Sequence, residues 1–176
     1  MPDYDLHMKV AELVRDAGRE LVGRTRLQKV AYLTQLAGFS SDFHFEYRHY
    51  GPYSDELASA TQIATGLRLV SEVERRTNWG GWYSVFSVGG EQAPESERQR
   101  FVSAAARVDA IELELAATAA FLYEQEGFGR NGKGDPWGET AARKPEKSGE
   151  GRLEKAKVAY RALLAMPTPR PLPPIV

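Results

Sequence analysis

One stretch of the sequence is apolar around most of a helical circumference, and this feature limits the folds open to the chain. Residues 24–37 carry apolar side chains at helical spacing on almost every face. Only a narrow polar strip remains, formed by Arg24, Gln28 and Gln35. A helix of this kind needs cover from other elements on nearly all sides. We therefore predict that residues 24–37 form the central, buried helix of the core.

The segments around this helix alternate between helical and extended patterns. An amphipathic helix is predicted over residues 5–17. Aromatic and polar residues alternate over 43–50, which is the period of a half-buried strand. After a Gly-Pro break, Ser54 has the features of a helix N-cap, so a third helix is expected over 55–65.

A single β-hairpin is the clearest strand signal. Two runs rich in β-branched and aromatic residues, 69–77 and 82–88, flank a Gly-rich turn. Two helices, a short strand, a third helix and a hairpin, in that order, are typical of a winged helix. We therefore predict a mainly helical α+β fold with winged-helix-like helices and one hairpin.

The chain after the hairpin is predicted to be largely helical. One long helix is expected over residues 97–123, and a short one begins at Pro136, where proline suits the first turn. The sequence is therefore divided into a winged-helix-like domain (1–125), a loop with a C-terminal helical extension (126–166) and a proline-rich tail (167–176).

The last helix is expected over residues 151–166. An isolated helix of this length is marginal in water. We therefore expect it to dock through Leu153, Val158 and Leu163, either on the main domain or on a second copy. The tail that follows favours polyproline II, because its prolines cannot continue a helix.

The composition excludes several kinds of chemistry. The 176 residues include no cysteine, which excludes disulfides, thiolate metal sites and thiol nucleophiles and fits a reducing compartment. The histidines form no chelating pair, since His44 and His49 lie five apart on an extended segment. Ser54 lies beside carboxylates, but no spacing gives it a base. We expect no catalytic residue, no cofactor and no metal.

The location of the protein is expected to be cytoplasmic. The first residues lack the basic region and the apolar run of a signal peptide, and no apolar stretch is long enough to span a membrane. The net charge of −1 gives no global attraction to nucleic acid, so DNA or RNA binding would need a local basic patch.

Two motifs carry a family resemblance. Residues 27–33 read Leu-Gln-Lys-x-x-Tyr-Leu, and residues 50–57 read Tyr-Gly-Pro-Tyr-Ser-x-Glu-Leu. This pair, with a later Asp-Pro-Trp at 135–137, resembles the Panacea antitoxin domain and the related phage-associated and YwgA-like proteins. The resemblance implies a mainly helical domain that neutralises a partner toxin by direct contact or acts as an adaptor. It implies no catalytic residues, and the chain from 143 onward has no counterpart in it.

A basic cluster at the start of the central helix is the first candidate for partner binding. Arg24, Arg26 and Lys29 could contact a phosphate or an acidic partner. The alternative is structural, because their stems can cover apolar surface while Glu46 or Asp55 pairs with the charges.

Aromatic residues supply the other candidates. Tyr47, Tyr50 and Tyr53 flank the Gly-Pro turn and suit an interface, although they could equally pack against the turn. Trp79 lies in the Gly-rich hairpin turn, where an exposed tryptophan would be an interface anchor. The alternative is that Trp79 and Trp82 fold back on the hairpin.

The leading functional hypothesis is a non-catalytic module that binds a partner protein, for example a toxin, and a homodimer is left open. The alternative is a winged-helix DNA-binding regulator associated with phage or mobile elements. Asp55 and Glu56 at the start of the third helix would repel phosphate, which argues against that alternative. Arg75 and Arg76 in the wing are the remaining route to nucleic acid, and nearby glutamates oppose them.

Overall fold

The computed structural model describes residues 6–130 and 132–175. Helices account for most of the regular structure in these residues, so the prediction of a mainly helical α+β fold is confirmed. The helices are α1 (Leu6–Asp16), α2 (Arg24–Leu36), α3 (Asp55–Gly66), α4 (Glu97–Ala106), α5 (Ala110–Glu126), α6 (Pro136–Arg143), α7 (Pro145–Ser148) and α8 (Arg152–Leu164). The strands are β1 (Glu20–Val22), β2 (Glu46–Arg48), β3 (Gly51–Tyr53), β4 (Ser71–Arg76) and β5 (Trp82–Ser87).

The winged-helix topology is completed by a strand that the sequence pattern did not reveal. Strand β1 lies between α1 and α2 and pairs antiparallel with β5, giving the strand order β1-β5-β4. Leu21 pairs with Phe86, and both side chains are buried against the helices. Three residues are too few to show the alternation on which strand prediction depends.

The prediction of a single hairpin is wrong, because the aromatic segment at 43–50 contributes to a second one. Strands β2 and β3 pair antiparallel, with Glu46 opposite Tyr53 and Tyr47 opposite Pro52. The Gly-Pro pair therefore begins a strand instead of ending one. Gly51 has φ 90°, a left-handed value that glycine adopts without strain, and this lets the chain reverse direction.

The long helix predicted over 97–123 is in fact two helices, α4 and α5. The Asp109 side chain accepts hydrogen bonds from the backbone N–H groups of Ile111 (2.9 Å) and Glu112 (3.2 Å), as an N-cap does. The apolar spacing continues through the break, and this continuity concealed the cap signal.

Helices α2 and α5 form the centre of the core. Leu27, Val30, Ala31 and Leu33 of α2 are all buried, which confirms the prediction for this helix. Helix α5 is alanine-rich, and its residues 113–122 are buried on every face. Small side chains let α2, α6 and α8 all pack against α5 at close range.

The C-terminal helix docks on the main domain, as predicted, but Val158 is not part of the docking face. Leu163 is buried and Leu153 is partly buried, whereas Val158 is 61% exposed. The buried partners are Ala156 and Tyr160, which are four residues apart and share one helix face. Val158 lies two residues from each of them, and two residues along a helix lead to the opposite side.

The core continues past the boundary expected after residue 125. Trp137, Tyr160, Leu172 and Ile175 belong to the same cluster of buried side chains as the residues of α2. Among the described residues, no helix combines the length and the apolar character needed to cross a membrane.

Candidate partner-binding surface

The first of the two sequence motifs is joined to the second by a buried glutamine. The side-chain amide of Gln28 donates to the Ser54 carbonyl (3.0 Å), and its oxygen accepts from the Ser54 N–H (2.9 Å). The Ser54 hydroxyl accepts from the Leu57 N–H (3.1 Å), which confirms the predicted cap. Gln28 therefore fixes the start of α3 against the middle of α2.

A buried lysine makes the second connection. Lys29 is fully buried, and its Nζ donates to the Pro52 carbonyl at 2.7 Å. Burial disfavours the charged form and lowers the pKa of Lys29 to about 7. We call the contacts of Gln28 and Lys29 with Pro52 and Ser54 the motif clamp. The first motif supplies the side chains of the clamp and the second supplies its backbone partners, so the two motifs depend on each other.

A buried carboxylate lies close to the motif clamp. Glu114 on α5 accepts from Lys144 Nζ (2.9 Å) and from Lys147 Nζ (2.8 and 2.9 Å). Lys144 also donates to the His49 carbonyl at 3.0 Å. Glu114 favours the charged form of Lys29, while Lys144 and Lys147 oppose it. The C-terminal extension thus contributes two positive charges, those of Lys144 and Lys147, to the region beside the β2–β3 hairpin.

The same extension orients one of the predicted interface tyrosines. Lys147 Nζ lies 4.5 Å from the centre of the Tyr50 ring, and the His49 ring packs edge-on against that ring at 4.8 Å. Tyr50 nevertheless remains 47% exposed. A tyrosine held on two sides and open on the third presents a fixed surface to a partner, because little side-chain freedom remains to be lost on binding.

The three predicted tyrosines do not share one surface. Tyr47 packs against Phe121, with ring centres 6.0 Å apart, and lies 4.9 Å from the Arg143 guanidinium. Its role is thus to help seat the β2–β3 hairpin. Tyr50 and Tyr53 instead line a groove of about 300 Å³, here called the tyrosine groove. Its walls include Arg24, Lys29, Gln62, Glu72 and Phe86.

The Arg24 side chain marks the edge of this groove. Its Nε and Nη2 donate to Glu72 Oε2 at 2.9 and 2.7 Å, and Glu74 lies 3.8 Å away. The proposed pairing with Glu46 or Asp55 is wrong, because both carboxylates bind Arg48 instead. Arg24 is thus paired but accessible, with 68% of its side chain exposed.

The predicted basic cluster is dispersed, because its three members have different partners. Arg26 is partly buried and donates to the carbonyls of Val22 (2.6 Å) and Val108 (3.2 Å). Burial lowers the pKa of Arg26, although it stays charged at any ordinary pH. Lys29 is enclosed, so Arg24 is the member of the cluster whose charge lies at the surface.

A larger cavity of about 580 Å³ lies at the hairpin, and we call it the wing groove. Trp79 is 83% exposed and Trp82 is 63% exposed, and both line it. The Trp79 ring lies over Gly81, where any Cβ would collide with it. Arg76 covers part of Trp82, with 5.2 Å between the guanidinium and the ring centre. Trp79 thus folds back on its own turn yet keeps most of its surface free.

The two grooves share two adjacent residues at the start of α2. Arg24 and Thr25 line both the tyrosine groove and the wing groove, and Arg26 lines the second. Trp82 is a wall residue that was not among the partner-binding residues chosen from the sequence, and on β5 it lies opposite Arg76. Among the described residues, no group of three or more histidine or acidic side chains could hold a metal.

Fold and site together define a winged-helix α+β domain with an aromatic wing and a buried motif clamp. No family model matches the chain. The chain is similar to "Uncharacterized protein YwgA" from Bacillus subtilis (strain 168), with 31% identity over 77 residues. The match covers 44% of this chain and 45% of that protein, so the chain spans about half the length of the curated relative it matches. This similarity is consistent with the YwgA-like resemblance in the motifs.

Proposed function

We propose that the chain is a non-catalytic protein-binding module that acts in the cytoplasm as an antitoxin or adaptor, in the manner of the Panacea domain. The observation that carries the proposal is the exposure of two neighbouring tryptophans, Trp79 and Trp82, beside a groove of about 580 Å³. Exposed tryptophan is uncommon on monomer surfaces and is enriched among the residues that dominate binding energy.

Charge at the wing supports a protein partner more than a nucleic acid. Arg24 is neutralised by Glu72, which also accepts from the Ser84 hydroxyl at 2.6 Å. Strand β4 carries Glu72 and Glu74 ahead of Arg75 and Arg76, so it has no continuous basic face. Phosphate binding depends on several unpaired cations acting together. An interface core of aromatic residues with a mixed polar rim is instead typical of protein–protein contacts.

DNA binding is kept as the second candidate because of the winged-helix topology, in which β1 completes the wing sheet. Its weakness is helix α3, which begins with Asp55 and Glu56. Retention on duplex DNA at increasing salt separates the two candidates. A steep loss of binding with salt supports DNA recognition, while the protein-binding proposal expects no retention at physiological salt.

The test of the proposal is affinity capture from native lysate with matched variants. Wild type is compared with Trp79→Ala, Trp82→Ala and the double variant. We expect the double variant to lose the captured partner while remaining folded. Val158→Ala is the control, because Val158 is also an exposed apolar residue but lies on α8. Equal loss in the control, or unchanged capture by the double variant, would contradict the proposal.

A further inference from the structure

The proline-rich tail lies on the domain with a regular pattern of burial. Pro171 and Pro174 are exposed, whereas Leu172, Pro173 and Ile175 are buried, with Leu172 and Ile175 as the apolar anchors. Both pairs are three residues apart. A polyproline II helix has three residues per turn, so residues i and i+3 share a face. Residues 171–173 suit this pattern, and the segment then closes a tight turn in which the Ile175 N–H donates to the Pro173 carbonyl at 2.9 Å. Leu172 and Ile175 are both buried against the domain.

Two aromatic side chains hold the segment through its carbonyl groups. Trp137 Nε1–H donates to the Ile175 carbonyl, and the Tyr160 hydroxyl donates to the Pro173 carbonyl at 2.6 Å. The two rings pack edge to face, 5.9 Å apart. Proline has no N–H, so the prolines of the segment offer only carbonyls and apolar surface. An aromatic groove with side-chain donors is the arrangement by which proteins bind separate proline-rich ligands.

Few hydrogen bonds attach this segment to the rest of the fold, and its other contacts are the apolar ones that Leu172 and Ile175 make within the buried cluster. In the part of the chain that the structure describes, two hydrogen bonds join residues 171–175 to other elements, and both come from side chains. The connecting residues 167–170 are mostly exposed, and Arg170 N–H donates to the Ala37 carbonyl at 2.9 Å. The segment is therefore bound like a ligand and tethered by an accessible linker.

The groove is also not filled by the tail. A cavity of about 300 Å³ lies beside the segment, with Trp137, Pro174 and Ile175 in its walls. Tyr123 adds apolar surface, Lys157 and Arg161 add positive charge, and Asp135 adds a carboxylate. A related segment with larger side chains has room here.

We propose that Trp137 and Tyr160 form a binding site for Pro-x-x-Pro segments. The chain's own residues 171–175 occupy this site as a tethered ligand. A proline-rich segment of another protein, with apolar residues at the spacing of Leu172 and Ile175, takes their place. This site is separate from the wing groove, so it gives the protein a second contact that the tail controls.

The test keeps the whole chain and makes its tail detachable. A protease site is inserted between Pro167 and Thr168, and the folded protein is cut there. A fluorescein-labelled peptide with the sequence of residues 169–176 is then added. We expect the cut protein to remain folded by near-UV circular dichroism and to bind the peptide saturably by anisotropy. The uncut protein should bind it far less, because its own tail occupies the site.

Variants of the peptide and the protein show whether binding uses the proposed contacts. Replacing Leu172 and Ile175 by alanine in the peptide should weaken binding about tenfold or more. Tyr160→Phe in the cut protein should weaken it about fivefold, because one hydrogen bond to a carbonyl is lost. Val158→Ala on the same helix is the control and should bind normally.

Three results would overturn the proposal. The cut protein unfolds, in which case the tail is an integral part of the core. The cut protein stays folded but the peptide does not bind. The peptide binds cut and uncut protein equally, which places its site elsewhere. A dimer of the uncut protein that dissociates when peptide is added would support the site, with the tail of a second copy as the ligand.

Discussion

The motif clamp and the wing differ in how their polar and aromatic residues are used. In the clamp, Gln28 and Lys29 are buried and bonded to backbone carbonyls and N–H groups of the next motif. At the wing, Trp79 and Trp82 are exposed and leave a groove open beside them. Gln28 and Lys29, which carry part of the family resemblance, therefore hold the fold together, while the most exposed aromatic residues, Trp79 and Trp82, lie outside the motifs.

This difference gives each region its own expected response to mutation. Substitutions in the clamp, or in the charges beneath it, should lower stability and affect binding only through folding. Substitutions in the wing should weaken partner binding and leave the stability of the fold nearly unchanged.

The largest effect is expected from Glu114→Gln. Glu114 binds Lys144 and Lys147, and all three lie largely within the protein. Removing the carboxylate charge leaves buried ammonium groups without a counter-ion, which costs about 3–5 kcal/mol of the free energy of unfolding. Urea unfolding at pH 7 measures it. A loss below about 1 kcal/mol would show that the cluster is hydrated, and Glu112→Gln at the first turn of the same helix is the control.

The second effect concerns pH and Lys29. The pKa of Lys29 is about 7 in the folded protein, against an ordinary value of 10.5. Between these values the unfolded chain holds a proton that the folded protein has released. Stability should therefore rise from about pH 7 towards pH 10.5, by at most about 1.4 kcal/mol per pH unit, and be lost as pH falls to about 7.

Unfolding midpoints in urea at pH 7, 8 and 9 measure this rise. Lys29→Met should remove it, because methionine has a similar length and no charge to bury. The exposed Lys155→Met is the control and should keep the rise. Parallel pH profiles for wild type and Lys29→Met would mean that Lys29 titrates normally in the folded state.

A smaller loss is expected from Gln28→Ala. The substitution removes two hydrogen bonds and leaves the buried N–H of Ser54 without a partner, while the Ser54 carbonyl keeps its bond from the Ala58 N–H at 3.1 Å. The cost should be about 2 kcal/mol, and thermal unfolding measures it. Gln62→Ala is the matched control, because Gln62 is an exposed glutamine on α3 that lines the tyrosine groove. Equal losses for both variants would show that the clamp contributes nothing specific.

The comparison also explains which features the sequence could predict. The burial of α2 follows from its own apolar pattern, and the β4–β5 hairpin follows from its turn glycines. Both features could therefore be predicted from the local sequence. Strand β1 was missed because three residues carry no period. Its pairing with β5 joins positions more than sixty residues apart, such as Leu21 and Phe86.

The clamp was missed for a related reason. Gln28 looked like part of a solvent-facing strip, and its partner Ser54 lies 26 positions away. Lys144 and Lys147 reach Glu114 across 30 and 33 positions. Such contacts depend on how helices pack, and a local pattern contains no information on that. The exposure of Trp79, by contrast, depends mainly on its own short turn, and the sequence could therefore indicate it.

The smallest effect on stability is expected at the wing. Measuring this effect is the most direct test of the difference between the motif clamp and the wing. Trp79→Ala removes a side chain that is 83% exposed and touches mainly its own turn at Gly81. An exposed side chain of this kind contributes about 0.5 kcal/mol or less to folding. Urea unfolding of Trp79→Ala should therefore give nearly the same midpoint as wild type. Trp82→Ala should also unfold at nearly the wild-type midpoint, although it removes the contact between Arg76 and the Trp82 ring. Tyr47→Ala is the contrasting variant, since Tyr47 packs on Phe121 and should cost several times more. A large loss of stability for Trp79→Ala would mean that the wing tryptophan is part of the fold, and its exposure would then no longer argue for a partner.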